Sequence, residues 1–245
     1  MNPTSTLAVT SRVLTQLRRD RRTMAMLLVL PCALMTLLWW MFQDLPGDGF
    51  SSLGPALLAL VPFVIMFLVT SVTTLRERTS GTLERLLAMP MGKLDFLLGY
   101  ALAFGLLAAV QSALAVALCV WVLDLTVVGT VWLLLLVAVL DAVLGAVLGL
   151  FVSAFARTEF QAVQFMPALV IPQLLLCGLF VPREQLPRFL EAVSNVLPLS
   201  YAVDAMQQVA ASAATAEVWQ DLALVAAYVV AGLALGALTL RRQSA

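Results

Sequence analysis

The sequence predicts an all-α membrane protein with six transmembrane helices, and two observations support this prediction. The 245-residue chain is 62% hydrophobic and only 11% charged, whereas about a quarter of the residues of a soluble domain carry charge. Apolar stretches of about 20 residues, long enough to cross a bilayer as helices, recur along the chain. A β-barrel would instead show strands of about ten residues that alternate apolar and polar side chains. The continuous apolar stretches therefore favour helices.

Residues 1–23 are predicted to form an amphipathic helix that lies on the cytoplasmic surface of the membrane. Four apolar side chains fall roughly on one helical face: Leu7, Val13, Leu14 and Leu17. Five arginines fall elsewhere around the helix: Arg12, Arg18, Arg19, Arg21 and Arg22. This pattern is typical of a helix that lies in the membrane interface. A disordered basic tail is the alternative.

Six apolar stretches with few or no charges are the predicted spans. They cover residues 24–42, 55–75, 97–123, 131–153, 163–181 and 222–240. With a cytoplasmic N-terminus, all but two of the 14 Lys and Arg residues fall on the cytoplasmic side, the exceptions being Arg183 and Arg188. All five tryptophans fall at the outer ends of the spans: Trp39, Trp40, Trp121, Trp132 and Trp219. We therefore expect both termini in the cytoplasm, and the excess of Arg over Lys indicates a bacterial plasma membrane.

The loop of residues 76–95 joins the second and third spans on the cytoplasmic side. It begins with RERTSGTLERLLAMP and is rich in charge, and each central Arg or Asp inside a bilayer would cost about 2.5–3.5 kcal/mol. Leu83, Leu86 and Leu87 share one helical face before Pro90 ends the pattern. We expect a short amphipathic cytoplasmic helix, with an ordinary solvated connection as the alternative.

The segment of residues 182–221 lies on the outer side. Its apolar residues repeat with helical spacing: Leu186, Phe189, Leu190, Val193 and Leu197. The segment is bounded by proline and is too short to cross the membrane. We expect a re-entrant or interfacial helix followed by a second short helix at about 201–209, with a plain surface loop as the alternative.

The composition also excludes several classes of function. Histidine is absent, which excludes catalysis by Ser–His pairs and by HExxH zinc sites. The three cysteines lie singly in apolar stretches, and the net charge of zero gives no indication of nucleic-acid binding. No G-x-x-x-x-G-K-[ST] phosphate-binding loop occurs. We therefore predict no catalytic, metal-binding or cofactor-binding residues, and no ATP hydrolysis by this chain alone.

Two segments of the sequence resemble the ABC-2 type exporter permeases. In the first segment, Arg76-Glu77-Arg78, Gly81-Thr82-Leu83-Glu84, Leu86-Leu87 and Pro90 resemble the loop after the second span of that family. The second segment, residues 176–206, is similar to the stretch after the fifth span. Its matching residues are Pro182, Pro187, Pro198-Leu199-Ser200-Tyr201 and Asp204. The resemblance covers nearly the whole of residues 1–245 as a single transmembrane domain of the type V exporter kind. The short loops are most similar to drug-resistance permeases of the daunorubicin type.

The resemblance implies a permease subunit that forms a homodimer or heterodimer and works with two separate ATPase subunits. ATP and magnesium would be bound by those ATPases, and this chain would bind no cofactor. The cytoplasmic loop would supply a coupling helix that docks on the ATPase through Arg76, Glu77, Arg78, Gly81, Thr82, Glu84 and Arg85. An outer re-entrant gate would include Pro182, Pro187, Pro198, Tyr201 and Asp204. The implied cargo is a hydrophobic or amphipathic drug, antibiotic or lipid-like compound, with a polysaccharide or lipid-linked glycan as the alternative.

Polar residues within the spans are candidates for the transport pathway. Asp141 is the only charged residue deep in a predicted span, and such residues often face a cavity or a partner. It also lies four residues before Gly145-x-x-x-Gly149, a pattern of close helix packing. A neutral Asp141 hydrogen-bonded between helices is therefore the alternative, and a proton-coupled transporter that uses Asp141 is a different class of function. Three further pathway candidates are Gln111, Gln164 and Phe165, for which helix packing is again the alternative.

Overall fold

The computed structural model describes residues 3–43, 49–80, 93–214 and 216–239. These ranges contain nine α-helices and no strand, which confirms the all-α prediction. The helices are α1 (Pro3–Arg19), α2 (Arg21–Phe42), α3 (Gly49–Thr79), α4 (Lys93–Trp121), α5 (Val131–Val152), α6 (Glu159–Leu176), α7 (Arg188–Ser194), α8 (Pro198–Ala211) and α9 (Ala216–Thr239). One 3₁₀ turn, Arg183–Gln185, precedes α7.

Six of the described helices are long and apolar enough to cross a membrane: α2, α3, α4, α5, α6 and α9. The prediction of six spans is thereby confirmed, although the helix bounds differ from the apolar stretches. Helix α3 continues through the first charges of the loop to Thr79, because Glu77 is buried against α1. Helix α6 ends at Leu176, ahead of the predicted 181. Two residues later Gly178 has a φ of +90°, a conformation that glycine adopts readily.

Helices α3 and α5 form the centre of the bundle and touch backbone to backbone. A Cβ atom added to Gly145 would lie 2.4 Å from the carbonyl oxygen of Phe63, and one added to Gly149 would lie 2.4 Å from that of Phe67. Only glycine therefore fits at these two positions. The predicted close packing at Gly145-x-x-x-Gly149 is present, and α3 and α5 run parallel.

The two ends of the bundle differ in composition. At one end, the loop after α4 contacts the start of α3 and the end of α8. The Thr126 amide donates to Ser51 Oγ at 3.4 Å, and the Val128 amide donates to the Ala210 carbonyl at 2.9 Å. Four exposed tryptophans lie at this tryptophan end: Trp40, Trp121, Trp132 and Trp219. The opposite end contains α1, the end of α3 and the starts of α4 and α6, and we name it the arginine end.

Helix α1 is amphipathic, and its buried face overlaps the predicted one at Val13 and Leu17. Val9, Val13 and Leu17 pack into a cluster with Phe96 and Tyr100 of α4. Two residues of the predicted apolar face, Leu7 and Leu14, are exposed and half-buried respectively. The difference arises because α1 packs against protein. Helical periodicity indicates an apolar face on α1. Packing against α4 then buries only part of that face.

Candidate functional site

At the arginine end, a partly buried ion pair holds α1 against the last turn of α3. The Arg12 Nη2 atom donates to Glu77 Oε1 at 3.1 Å. The Glu77 side chain is 4% exposed and that of Arg12 is 30% exposed. Glu77 is therefore directed towards α1 and away from solvent. Any movement of the end of α3 must move Arg12 with it or break this pair.

Helix α1 also rests on the beginning of α4. The Thr10 hydroxyl donates to the carbonyl of Gly99 at 3.1 Å. A Cβ atom at Gly99 would lie 2.7 Å from Val9 Cβ, so glycine lets the two helices approach closely. Helix α1 thus joins the two helices that flank residues 81–92. We call this contact set, Val9, Thr10, Arg12, Glu77 and Gly99, the α1 brace.

A second ion pair links the end of α3 to the start of α6. Arg76 Nε donates to Glu159 Oε1 at 2.7 Å, and Arg76 Nη2 donates to Glu159 Oε2 at 3.0 Å. Both side chains are more than half exposed, so the pair stabilises the fold by about 0–1 kcal/mol. The next arginine, Arg78, has a buried Nε atom with no hydrogen-bond partner among the described residues.

The predicted docking residues therefore divide into two groups. Arg76, Glu77 and Arg78 lie in the last turn of α3, where the first two form internal ion pairs. The other four lie outside the described residues: Gly81, Thr82, Glu84 and Arg85. Docking of the loop on an ATPase thus stays a prediction for both groups.

The elbow between α1 and α2 is fixed by Asp20. Its carboxylate accepts hydrogen bonds from the Thr23 hydroxyl at 2.6 Å and the Thr23 amide at 3.1 Å. These bonds favour the charged form, so they lower the pKa of Asp20. This cap begins α2 directly after α1 and keeps the two helices in a set orientation at the arginine end.

Near the tryptophan end, the Arg183 side chain contacts residues from several elements of the segment 182–221. Its guanidinium donates to the Asp204 carboxylate and to the Asn195 side-chain oxygen. It also lies over the Tyr201 ring, 5.2 Å from the ring centre. Burial raises the pKa of Asp204, and the charge of Arg183 opposes this effect. We call these four residues the Arg183 clasp.

The outer segment enters the bundle and returns. The Tyr228 hydroxyl donates to the Val196 carbonyl at 2.8 Å, and Tyr228 lies about 18 Å along α9 from its first residue, Ala216. Helix α8 starts at this depth, where the Leu199 amide donates to Gln173 Oε1 at 3.3 Å. It ends at the tryptophan end, where the Gly129 amide donates to its Val209 carbonyl. This is the geometry of a re-entrant segment.

The structure places the predicted gate residues in two roles. Tyr201 and Asp204 meet in the Arg183 clasp. The prolines begin helical pieces: Pro182 precedes the 3₁₀ turn, Pro187 precedes α7, and Pro198 is the first residue of α8. Sequence reasoning did not select Arg183, Asn195 or Tyr228. The signal for Arg183 was available, since it is one of only two cations assigned to the outer side.

The predicted pathway residues do not share one environment. Asp141 and Gln111 are almost completely buried, and their carboxyl and amide atoms have no hydrogen-bond partner among the described residues. Next to Gln111, the Ser112 hydroxyl donates to the Ala138 carbonyl at 3.0 Å and so links α4 to α5. Gln164 is exposed on α6, and Phe165 packs beside Leu75 and Ala162.

Comparison with known proteins gives consistent matches. The family model of the ABC-2 type transporter matches residues 4–210. The chain is similar to the probable multidrug ABC transporter permease YbhR of Escherichia coli K12, at 26% identity over 169 residues, which are 69% of this chain and 46% of that protein. It is also similar to ABC transporter G family member 20 of Dictyostelium discoideum, at 26% identity over 157 residues, which are 64% of this chain and 22% of that protein.

A third relative is the inner membrane transport permease YhhJ of Escherichia coli K12. It is 26% identical over 147 residues, which are 60% of this chain and 39% of that protein. The matched region is thus less than half the length of each of these relatives. The family match, in contrast, covers α1, the loop of residues 76–95 and the segment from residue 182 into α8. The chain therefore belongs to the ABC-2 type transporter family.

Proposed function

We propose that this chain is the permease subunit of an ATP-driven exporter. In this proposal it pairs with a second permease subunit and with two separate ATPase subunits. The arginine end lies in the cytoplasm, as the positive-inside rule favours. The cargo is a hydrophobic or amphipathic compound of the drug, antibiotic or lipid-like kind. The family match supports the class, and the similarity to YbhR, a probable multidrug permease, supports the cargo.

The α1 brace is the observation that carries this proposal. Helix α3 runs without interruption from the base of the cytoplasmic loop to the bundle centre, where it touches α5 backbone to backbone. The brace connects the other side of the loop, the start of α4, to the same end of α3. A force applied to residues 81–92 therefore reaches α3 and α4 together, as coupling to an ATPase requires.

The docking residues then have different roles. We infer that Gly81, Thr82, Glu84 and Arg85 contact the ATPase directly, because they follow the last braced turn of α3. Glu77 and Arg76 hold the base of the loop through Arg12 and through α6. Closure of the ATPases tilts α3 and α4 and switches the bundle between inward-facing and outward-facing states. The Arg183 clasp keeps the re-entrant segment together at the opposite end during this change.

Reconstituted transport tests the proposal. The permease is purified with the ATPase that copurifies with it and is placed in proteoliposomes with a fluorescent hydrophobic dye. We expect dye transport that requires ATP and continues when a protonophore removes the proton gradient. Transport that stops with the gradient while ATP is constant would contradict the proposal and favour a proton-coupled transporter.

Two loop variants test the docking assignment. Glu84→Ala and Gly81→Pro are expected to leave the protein inserted and folded, but to reduce ATPase copurification and dye transport about tenfold, which equals about 1.4 kcal/mol of lost contact. Arg157→Ala is the matched control, because Arg157 is an exposed charge outside the loop at the same end of the bundle. Undiminished transport and copurification in both loop variants would contradict the assignment.

A further inference from the structure

Asp141 is a completely buried ionisable residue that the proposed function does not use. It is 0% exposed, and neither carboxyl oxygen has a hydrogen-bond partner among the described residues. The buried residues of its own helix include the apolar Leu134, Val137 and Leu144. An isolated carboxylate in such surroundings is far less stable than the neutral acid. A neutral acid carries one O–H donor and therefore needs an acceptor.

The register of α3 and α5 shows what faces Asp141. Gly145 lies against the carbonyl of Phe63, and one turn later Gly149 lies against the carbonyl of Phe67, both with a Cβ-to-oxygen distance of 2.4 Å. The two helices thus advance together in steps of four residues. Asp141 is one turn before Gly145 on the same helical face. By this register it lies opposite Ala59 of α3, and the carbonyl of Leu58, the preceding residue, belongs to the same turn.

That turn of α3 contains a carbonyl without its helical donor. Pro62 lies inside α3 and has no backbone N–H, so it cannot pair with the carbonyl four residues earlier, that of Leu58. Leu58 and Ala59 are both 0% exposed, so bulk solvent does not supply the missing donor. An acid that needs an acceptor and a carbonyl that needs a donor therefore meet at the same level of the bundle.

We propose that Asp141 is a neutral acid whose O–H group donates a hydrogen bond to the Leu58 carbonyl. The bond supplies the Leu58 carbonyl with the donor that Pro62 cannot provide, and it attaches α5 to α3 at this level. Asp141 is then a positioning residue that sets the angle between the outer part of α3 and the part that leads to the cytoplasmic loop. The proton stays on Asp141 during transport, so Asp141 is not a coupling site for protons.

Infrared spectroscopy tests the protonation state. The carbonyl stretching band of a protonated carboxyl group is recorded for the full chain in lipid nanodiscs at neutral pH. We expect this band in the wild type, its loss in Asp141→Asn, and its persistence in the control Glu184→Gln, which removes an exposed carboxyl group. Absence of the band from the wild type would overturn the proposal.

A double-mutant cycle tests the acceptor. Pro62→Ala supplies the N–H group that the Leu58 carbonyl lacks, so the acid must share its acceptor, its hydrogen bond weakens and its infrared band shifts to higher frequency. Asp141→Leu is expected to lower the melting temperature by several degrees in the wild type, and by much less in the Pro62→Ala background. Asp141→Asn keeps a donor, so its melting temperature and ATP-driven transport remain close to those of the wild type.

The control is Pro55→Ala, since Pro55 lies in the same helix one to two turns away. We expect that this change leaves both the infrared band and the effect of Asp141→Leu unchanged. Gln111 is the rival partner, because its amide is also buried without a hydrogen bond among the described residues. If Gln111→Leu shifts the band and Pro62→Ala does not, the Leu58 assignment is wrong.

Discussion

Replacement of Glu77 by Gln tests whether charge attaches α1 to the end of α3. Glu77 Oε1 lies 3.1 Å from Arg12 Nη2, and the two side chains are 4% and 30% exposed. Breaking a fully buried ion pair costs about 3–5 kcal/mol, since one charge remains buried alone. Here the remaining charge is Arg12, which can turn partly towards solvent. We therefore expect Glu77→Gln to lower the free energy of unfolding by about 1–2 kcal/mol.

Replacement of Arg12 lowers the free energy of unfolding more than replacement of Glu77, because Glu77 is the more buried partner. Arg12→Gln leaves a buried carboxylate without its cation, and we expect a loss of about 2–3 kcal/mol. The double variant restores most of this loss because it leaves no unpaired charge. Chemical unfolding of the four proteins in detergent measures the coupling energy in a double-mutant cycle. ATP-driven transport by the two single variants is expected to fall with the stability of the α1 brace.

The exposed pair at the same end of the molecule is the control. Arg76 and Glu159 are 56% and 51% exposed. A double-mutant cycle in which each is replaced by Gln should therefore give a coupling energy of about 0.5 kcal/mol or less. The reasoning is refuted if the Arg12–Glu77 coupling is no larger than that of the control pair. It is also refuted if transport by the single variants equals that of the wild type.

Two further predictions concern the bundle centre and the Arg183 clasp. Gly149→Ala places a Cβ atom 2.4 Å from the Phe67 carbonyl and should cost about 1–3 kcal/mol of unfolding free energy. In contrast, the Cβ atom of Gly105→Ala would lie 3.8 Å from its nearest neighbour, Cγ2 of Val143, so this change should be harmless. Arg183→Leu removes the positive charge that opposes the effect of burial, so the pKa of Asp204 rises further. A carboxyl group whose pKa is raised in the folded protein stabilises the fold at low pH, where it is protonated. This stabilisation is lost as the pH rises and the group must ionise. Thermal unfolding should therefore show a larger destabilisation at about pH 8 than at about pH 5, and equal destabilisation at both would contradict the assigned cause.

Several features of this protein follow from local sequence alone. The number of spans and the sorting of charges and tryptophans to opposite ends depend only on hydropathy along the chain. The loop and the outer segment were located by charge, proline and helical spacing. These signals are local, because each residue responds to lipid or water whatever its neighbours are. Accordingly, the described structure has six apolar helices of spanning length and an α1 that is amphipathic.

Contacts between distant parts of the chain could not be predicted in this way. Glu77 carries a charge that the sequence assigned to an ATPase interface, and its partner in the fold is Arg12, 65 residues earlier. Likewise, Tyr201 and Asp204 were selected, but Arg183, which joins them, was not. Ion pairs of this kind depend on which helices are neighbours, and no periodicity within one helix contains that information.

The tertiary structure also decided which apolar surfaces face protein and which remain open. In a membrane, lipid and protein core are equally apolar, so hydrophobicity does not distinguish the two faces of a spanning helix. Small residues and polar atoms make the distinction: Gly145 and Gly149 bring α5 onto α3, and Asp141 then lies inside the bundle. Local hydropathy was sufficient to locate the helices that are long and apolar enough to cross a membrane. Only the packing of those helices determined what each polar side chain contacts.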